Sequence, residues 1–316
     1  MTDHVIVESA ARLHFGLLDL RGALGRTFGG VGTSSPGITT RLSVARSEKL
    51  HATGPDADRA VEFARRFVSY HRVTAGAEIH VEHAIPSHAG LGSGTQLALG
   101  VARALAELFG IQATAPELAR AVGRARRSSV GTWTFAGGGL VVEGGRRLDE
   151  DRVAPLLARL PFPETWRCVV AIPDARPGVS GSAESAAFAS LPVPPQHEVE
   201  RASHLVLMAM LPAVAEGDVV SFGRALSELQ RINGGWFASA QGGTFAPGPT
   251  AALVERMTEW GAAGVGQSSW GPAVYGVVEG DETGHDLASR VRGALDGAGT
   301  ACVGAFPATG AVVSRR

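Results

Sequence analysis

The stretch Pro86-Ser87-His88-Ala89-Gly90-Leu91-Gly92-Ser93-Gly94-Thr95 decides how the rest of the chain is read. Its glycines at 90, 92 and 94 alternate with Leu91, Ser93 and Thr95, and a helical pattern follows from Gln96 to Phe109. Glycines let a backbone approach an anion closely. A helix N-terminus adds unpaired N–H groups and the positive end of the dipole. Ser93 and Thr95 supply hydroxyl donors. The segment reads as a phosphate site that needs no lysine. The plainer reading is a tight strand-to-helix turn with an ordinary cap.

Composition supports a lysine-free design. The chain has 316 residues, net charge −1, 45% hydrophobic and 19% charged residues. Lys49 is its single lysine, against 28 arginines. A Walker loop needs Gly-Lys-Ser/Thr, and that tripeptide does not occur. Lys49 lies in Glu48-Lys49-Leu50-His51, with nothing nearby to activate an amine. The near-neutral balance speaks against a general nucleic-acid partner, because phosphate backbones demand a basic surface. Cys168 and Cys302 sit in apolar, strand-like runs and read as buried free thiols. Met1-Thr2-Asp3-His4 does not open like a secretory leader, and no apolar run reaches the roughly 18–20 residues of a membrane helix. A cytoplasmic protein with no membrane partner is expected.

Outward from the loop, the chain reads as an α+β protein. Residues 4–9 and 37–46 alternate as strands, and residues 22–37 between them read as a long glycine-rich connection. Residues 56–72 pattern as an amphipathic helix and 77–83 as a half-exposed strand. Thr114-Ala115-Pro116-Glu117 carries a capping box with an early proline. A buried strand is expected at 166–173 and a proline-rich loop at 191–195. Helices follow at about 198–215, 217–232 and 248–262, then strand, helix and strand at 273–279, 283–297 and 300–306.

Four further segments carry chemistry-bearing side chains. Arg124-Ala125-Arg126-Arg127-Ser128-Ser129 runs arginines into hydroxyls, which suits phosphate or carboxylate, or equally a solvated helix end. Gly266-Gln267-Ser268-Ser269-Trp270-Gly271-Pro272 offers an amide, two hydroxyls and an indole, or a tight hairpin corner. Arg12-Leu13-His14 with Asp19 brings three polar groups near the first strand, though His14 alone suits a structural role. Gln230-Arg231-Ile232-Asn233-Gly234-Gly235-Trp236-Phe237, followed by Gln241-Gly242-Gly243, reads as a polar, glycine-rich segment just after a long helix, or simply its C-cap. His80, His83 and His88 match no zinc spacing, and the metal ligands stay unknown.

Pro86–Thr95 and Gly266–Pro272 resemble the central and C-terminal glycine motifs of the GHMP kinase superfamily. That resemblance implies an N-terminal domain like domain 2 of ribosomal protein S5, here 1–165, and a ferredoxin-like C-terminal domain, here 166–316. Within the superfamily, Arg12–Leu20, Arg126–Thr132, Gly137–Gly145, Gln241–Gly243 and Gly266–Pro272 together resemble the β-ribofuranosylaminobenzene 5′-phosphate synthases. These are not kinases. They are decarboxylating, C-glycoside-forming pentosyltransferases of tetrahydromethanopterin biosynthesis. They join phosphoribosyl pyrophosphate to 4-aminobenzoate, or 4-hydroxybenzoate, and release carbon dioxide and pyrophosphate. The alternatives within the superfamily are a small-molecule kinase using ATP and a catalytically inactive ligand-binding member. Two departures disfavour the kinase. Gly92-Ser93-Gly94-Thr95 replaces the kinases' Gly-Ser-Ser-Ala, and Ser129-Val130-Gly131-Thr132 lacks the aspartate several kinases carry there.

The resemblance implies roles for particular residues. Gly90, Gly92, Ser93, Gly94 and Thr95, with Arg127 and Ser128, would cradle phosphate or pyrophosphate. Arg12, His14, Asp19, Arg126 and Gln267 are the catalytic candidates. Arg26, Thr132, Gln241, Ser268, Ser269 and Trp270 would contact substrate, with Arg26 folding over it and Trp270 stacking on the aromatic acid. Mg²⁺ is the implied pyrophosphate partner, no organic cofactor is implied, and relatives suggest a homodimer.

Overall fold

The computed structural model describes residues 4–150, 152–178 and 181–315. Its frame is a long hairpin, β1 (Val5–Asp19) against β2 (Arg26–Ser47). Around it come β3 (His51–Thr53), α1 (Ala57–His71), β4 (Gly76–His83), α2 (Ser93–Phe109), α3 (Ala115–Ala121), α4 (Val130–Gly137), β5 (Leu140–Glu143), β6 (Arg146–Arg147) and β7 (Leu156–Leu160). The second half holds β8 (Trp166–Pro173), α5 (Gly181–Ser190), and α6 (Gln196–Leu205), which runs through a π-helical turn into α7 (Leu211–Glu216). Then follow α8 (Val219–Gln241), α9 (Pro249–Glu259), β9 (Gly264–Gln267), β10 (Val274–Glu279), α10 (Asp281–Leu295), β11 (Gly299–Gly304) and β12 (Val312–Arg315).

The strands make two sheets. The first, of eight strands, has the path β12-β1-β2-β4-β3, with β5 and β6 paired to the first part of β2 and β7 paired to β5. The second runs β11-β8-β10-β9 and is antiparallel throughout. Chain order and pairing together make this a ferredoxin-like β-α-β-β-α-β unit. The mixed α+β architecture is therefore as expected. One segment departs from a single break after residue 165: β12 crosses back and pairs with Val5–Glu8 of the first sheet.

Period-two alternation distributes the core. Val5 and Val7 of β1 face α1, α2 and α3 together with Leu42, Val44, Ile79 and Val81. Further along the same strand, Leu13, Phe15 and Leu17 enter a second core with Phe222, Leu226 and Leu229 of α8 and Tyr275 and Val277 of β10. In β8, Cys168 and Val170 face that core, whereas Val169 and Ala171 pack under α9 and α10. Such a strand is buried on both faces, which explains its unbroken apolar run.

Two elements differ from the sequence reading. Residues 26–37 are strand, not loop. Their glycines serve close approach: a Cβ on Gly32 would lie 2.3 Å from the Leu13 carbonyl oxygen and 2.8 Å from Val130. Secondly, α8 continues to Gln241, so Gln230–Gly235 lies inside the helix rather than beyond its end. Gly234 is needed there because the Thr244 carbonyl oxygen stands 2.2 Å from where its Cβ would be. The Thr114–Glu117 capping box forms as read, with Thr114 N–H donating to the Glu117 carboxylate at 2.7 Å. Both cysteines are free, Cys168 buried and Cys302 only half-buried. Among the described residues no helix is long and apolar enough to cross a membrane.

Candidate active site

A cavity of about 530 Å³ opens where the hairpin, the start of α2, the 123–128 segment, α5, α8 and the 267–270 loop meet. Its floor is the glycine loop. Gly92 is the N-cap of α2 in a left-handed conformation (φ 72°), and no side chain caps the helix. The first N–H groups of α2 therefore face the cavity uncapped, with the dipole's positive end. Gly90 is also left-handed (φ 76°), and a Cβ there would meet the Ser268 carbonyl at 2.1 Å. The loops at 90 and 268 thus pack backbone to backbone.

β1 brings Arg12 and His14 to this floor. Its register with β2 breaks between Ala10 and Arg12 and again between His14 and Gly16. Such bulges re-aim side chains. The Arg12 N–H donates to the Leu91 carbonyl at 3.0 Å, and its Nη1 donates to the Gly90 carbonyl at 2.6 Å. Burial lowers the Arg12 pKa to about 10, and Glu184 opposes that shift. The guanidinium stays charged at neutral pH. The buried His14 ring is pushed down to about 3, first by burial and then by Arg12. It is neutral in use, and its Nε2 lies 3.2 Å from Ser128 Oγ.

Behind Ser128 stands Glu143, fully buried on β5. Its carboxylate accepts from Ser129 N–H at 3.2 Å and Gly145 N–H at 2.8 Å. Burial still raises it to about 7, with those bonds and one from Ser128 pulling the other way. Ser128 therefore links a neutral imidazole to a carboxyl group poised near neutrality.

The opposite wall is aromatic. Phe188 of α5, Phe237 of α8 and Trp270 cluster with ring centroids 5.6 Å (Phe188–Phe237), 5.7 Å (Phe188–Trp270) and 4.8 Å (Phe237–Trp270) apart. Phe28 adds an edge contact to Phe188 at 5.7 Å. Glu184, also on α5, accepts from Trp270 Nε1 at 3.3 Å and pairs with Arg127. Arg127 also donates to Ser185 at 3.0 Å and lies over the Phe188 ring. Helix α5 is held over the cavity by these contacts.

The residues singled out from the sequence distribute as follows. Arg12, His14, Gly90, Gly92, Ser93, Gly94, Thr95, Arg126, Arg127, Ser128, Gln241, Gln267, Ser269 and Trp270 line the cavity. Ser268 lies beneath the surface, where its hydroxyl accepts from His14 N–H at 3.0 Å and donates to the Gly90 carbonyl at 2.7 Å. It locks three segments together rather than meeting a ligand. Thr132 is buried on α4, away from the lining. Arg26 does not fold over the cavity; its Nη1 donates to the Gly145 carbonyl at 3.0 Å near the hairpin tip. Asp19 is also outside, closing the turn by accepting from Arg21 and Gly22 N–H at 2.6 and 3.0 Å. Gln267 is tied by its side chain to Ala246 N–H, Gln241 and the Ser269 carbonyl.

Sequence reasoning missed Arg59, Glu184 and Phe188, and gave Arg124, Glu143 and Phe237, which lie in segments it singled out, no role of their own. Helix α1 carries Arg59 as one of many arginines, and α5 is too short of apolar periodicity to announce itself. Neither had a local signal. The donor set does not build a resident Mg²⁺ site. No group of three His, Cys, Asp or Glu side chains suits a metal among the described residues. The carboxylate facing the cavity, Glu184, is taken by Arg127 and Trp270.

The fold and this loop define the class. Residues 57–138 match the GHMP kinases N terminal domain and residues 210–297 the GHMP kinases C terminal domain. Homoserine kinase from Cytophaga hutchinsonii superposes with a TM-score of 0.74 at 16% identity, covering 99% of this chain and 98% of that one. Mevalonate pyrophosphate decarboxylase from Streptococcus pyogenes gives 0.71 at 15%, covering 98% of each. At those identities the likeness concerns the fold alone.

Sequence similarity goes further. The β-ribofuranosylphenol 5′-phosphate synthase of Methanothermobacter thermautotrophicus is 35% identical over 300 residues, 88% of this chain and 90% of the relative. That of Archaeoglobus fulgidus is 35% identical over 298 residues, 90% and 91%. The chain belongs to the β-ribofuranosylphenol 5′-phosphate synthase family, an enzyme family within the GHMP superfamily.

Proposed function

We propose that the protein joins phosphoribosyl pyrophosphate to 4-hydroxybenzoate or 4-aminobenzoate, forming a β-C-riboside 5′-phosphate. The carrying observation is the polarity of one cavity: guanidinium groups and an uncapped helix N-terminus on one side, an aromatic wall on the other.

The chemistry balances without a base. The ring carbon bearing the carboxylate attacks C1 of the ribose, and the C1–O bond to pyrophosphate breaks. The bond to the carboxyl carbon then breaks, carbon dioxide leaves, and its electron pair restores aromaticity. No proton need be removed. That suits a cavity whose carboxylate, Glu184, is held in an ion pair. A kinase would need a group to take the proton of its alcohol. Arg12 and the α2 N-terminus would stabilise the departing pyrophosphate by preorganised charge. The aromatic wall would hold the aryl ring and exclude water from C1. Mg²⁺ would arrive as the pyrophosphate's own counter-ion.

The test is incubation with phosphoribosyl pyrophosphate, Mg²⁺ and carboxyl-labelled 4-hydroxybenzoate or 4-aminobenzoate. Labelled carbon dioxide is expected with at least one acid. Its absence with both, alongside ATP-dependent phosphorylation of an alcohol, would overturn the reading.

A further inference from the structure

Helix α2 begins between two arginine corners of the cavity, one guanidinium on one side and two on the other. On one side Arg12 presses against Gly92, whose Cβ would lie 2.7 Å from Arg12 Cγ. On the other side Arg59 and Arg124 converge on Gly94. A Cβ there would lie 2.6 Å from Arg59 Nη2 and 2.9 Å from Arg124 Nη2. Both terminal nitrogens thus crowd one point at the helix's first turn.

This second corner carries excess positive charge. Arg66 and Arg126 approach from behind, 3.1 and 3.8 Å from where a Cβ of Gly123 would stand. Asp56 takes one edge of Arg59 at 3.0 Å, and Glu62 pairs with Arg66. Neither Arg124 nor Arg126 has a carboxylate partner among the described residues. Arg124 Nε is buried with no hydrogen-bond partner, and its guanidinium lies 4.7 Å over the Phe63 ring. Burial, then Arg59 and Arg66, lower its pKa to about 10. Like charges packed this way favour a dianion between them.

The two corners differ in their surroundings. Arg12 adjoins Ser268, two residues from Trp270 in the aromatic wall. Arg59 and Arg124 adjoin α1, the Ser87 hydroxyl (2.8 Å from Arg59 Nη1) and Phe63. In a phosphoribosyl donor, pyrophosphate and incoming aryl carbon both flank C1, whereas the 5′-phosphate hangs from the far side of the ring. Resting on the proposed reaction, we infer that the Arg59–Arg124 corner is the seat of the ribosyl 5′-phosphate, a dianionic monoester, and that pyrophosphate belongs to the Arg12 corner. The seat selects donors that carry a 5′-phosphate.

Calorimetric titration of the full chain with ribose 5-phosphate and with inorganic pyrophosphate tests this. Ribose 5-phosphate should bind wild type, and unphosphorylated ribose should bind at least about tenfold more weakly. Arg59→Ala and Arg124→Lys should each weaken ribose 5-phosphate by about tenfold while pyrophosphate stays within about twofold. Circular dichroism melts establish that both variants fold, and Arg59, only half-buried on α1, provides the safer variant. Equal weakening of both probes, weakening of pyrophosphate alone, or no binding of ribose 5-phosphate to wild type would each overturn the seat. Carbon dioxide release is read separately. A seat confirmed by binding without carbon dioxide release sinks the reaction and leaves the seat. Release with an unchanged donor KM in both variants does the reverse.

Discussion

Asn233 of α8 satisfies both backbone polar groups of Leu17 in β1. The Leu17 N–H donates to Asn233 Oδ1 at 2.5 Å, and Asn233 Nδ2 donates to the Leu17 carbonyl at 3.1 Å. A helix side chain thus stands in for a neighbouring strand. One turn earlier, Gln230 Nε2 donates to the Phe15 carbonyl at 2.5 Å and Oε1 accepts from Gln267 N–H at 2.9 Å. These amides stitch the site-bearing strand to the second sheet. Asn233→Ala leaves two buried groups unpaired and should cost about 2–4 kcal/mol. Urea unfolding measures it. A loss under about 0.5 kcal/mol would show that water replaces the amide at no cost.

Gly94→Ala separates fold from binding. The position needs no left-handed backbone, and alanine is the better helix former by up to about 1 kcal/mol. Yet the added methyl must displace the Arg59 and Arg124 guanidiniums. The melting temperature should hold or rise while the KM for phosphoribosyl pyrophosphate increases about tenfold. An unchanged KM with unchanged stability would mean that the guanidiniums take no part.

Trp270→Ala should raise the KM for the aryl acid about tenfold, because aromatic contacts and their buried area are lost together. The donor's KM should move by less than about threefold. Trp270→Phe keeps a ring and should recover part of the loss. If both variants affect the donor instead, the aromatic wall is not the aryl seat.

Glu143 gives stability a pH dependence whose sign can be worked out. Its folded pKa of about 7 lies above the ordinary 4.5. Between those values the folded state holds more protons than the unfolded one, so stability falls as pH rises from about 4.5 to 7. His14, pushed down to about 3 from 6.5, has the opposite slope between those values. The two partly cancel in wild type between about pH 4.5 and 6.5. Glu143→Gln removes one slope. The stability of wild type relative to this variant should drop from pH 5 to pH 8, by on the order of 3 kcal/mol. Urea midpoints at the two pH values decide it, and a constant difference would refute the shift.

How legible the site was depended on where its parts sit along the chain. The glycine loop could be read because hydroxyls, glycines and a helix start are neighbours in sequence. The polar run at 230–235 could be found but not placed. Glycines there argued for a helix end, whereas packing against Thr244 and β1 keeps the helix intact through Gln241. The glycine-rich 26–37 strand misled for the same reason: a local preference for turns yielded to the close approach of Leu13 and Val130. Arg59, Glu184 and Phe188 reach the cavity from elements that carry no motif. Only tertiary packing assembles them with Arg124 and Trp270.

The return of β12 to the first sheet has a consequence for how the protein is made. Val5–Glu8 pair with Val312–Arg315, partners separated by nearly the whole chain. On a ribosome, the outer edge of Val5–Glu8 stays an open template until those late residues emerge. Exposed strand edges invite pairing with other chains. Nascent copies on neighbouring ribosomes are then the hazard, and the strand bearing Arg12 and His14 is the last part of the first sheet to be sealed.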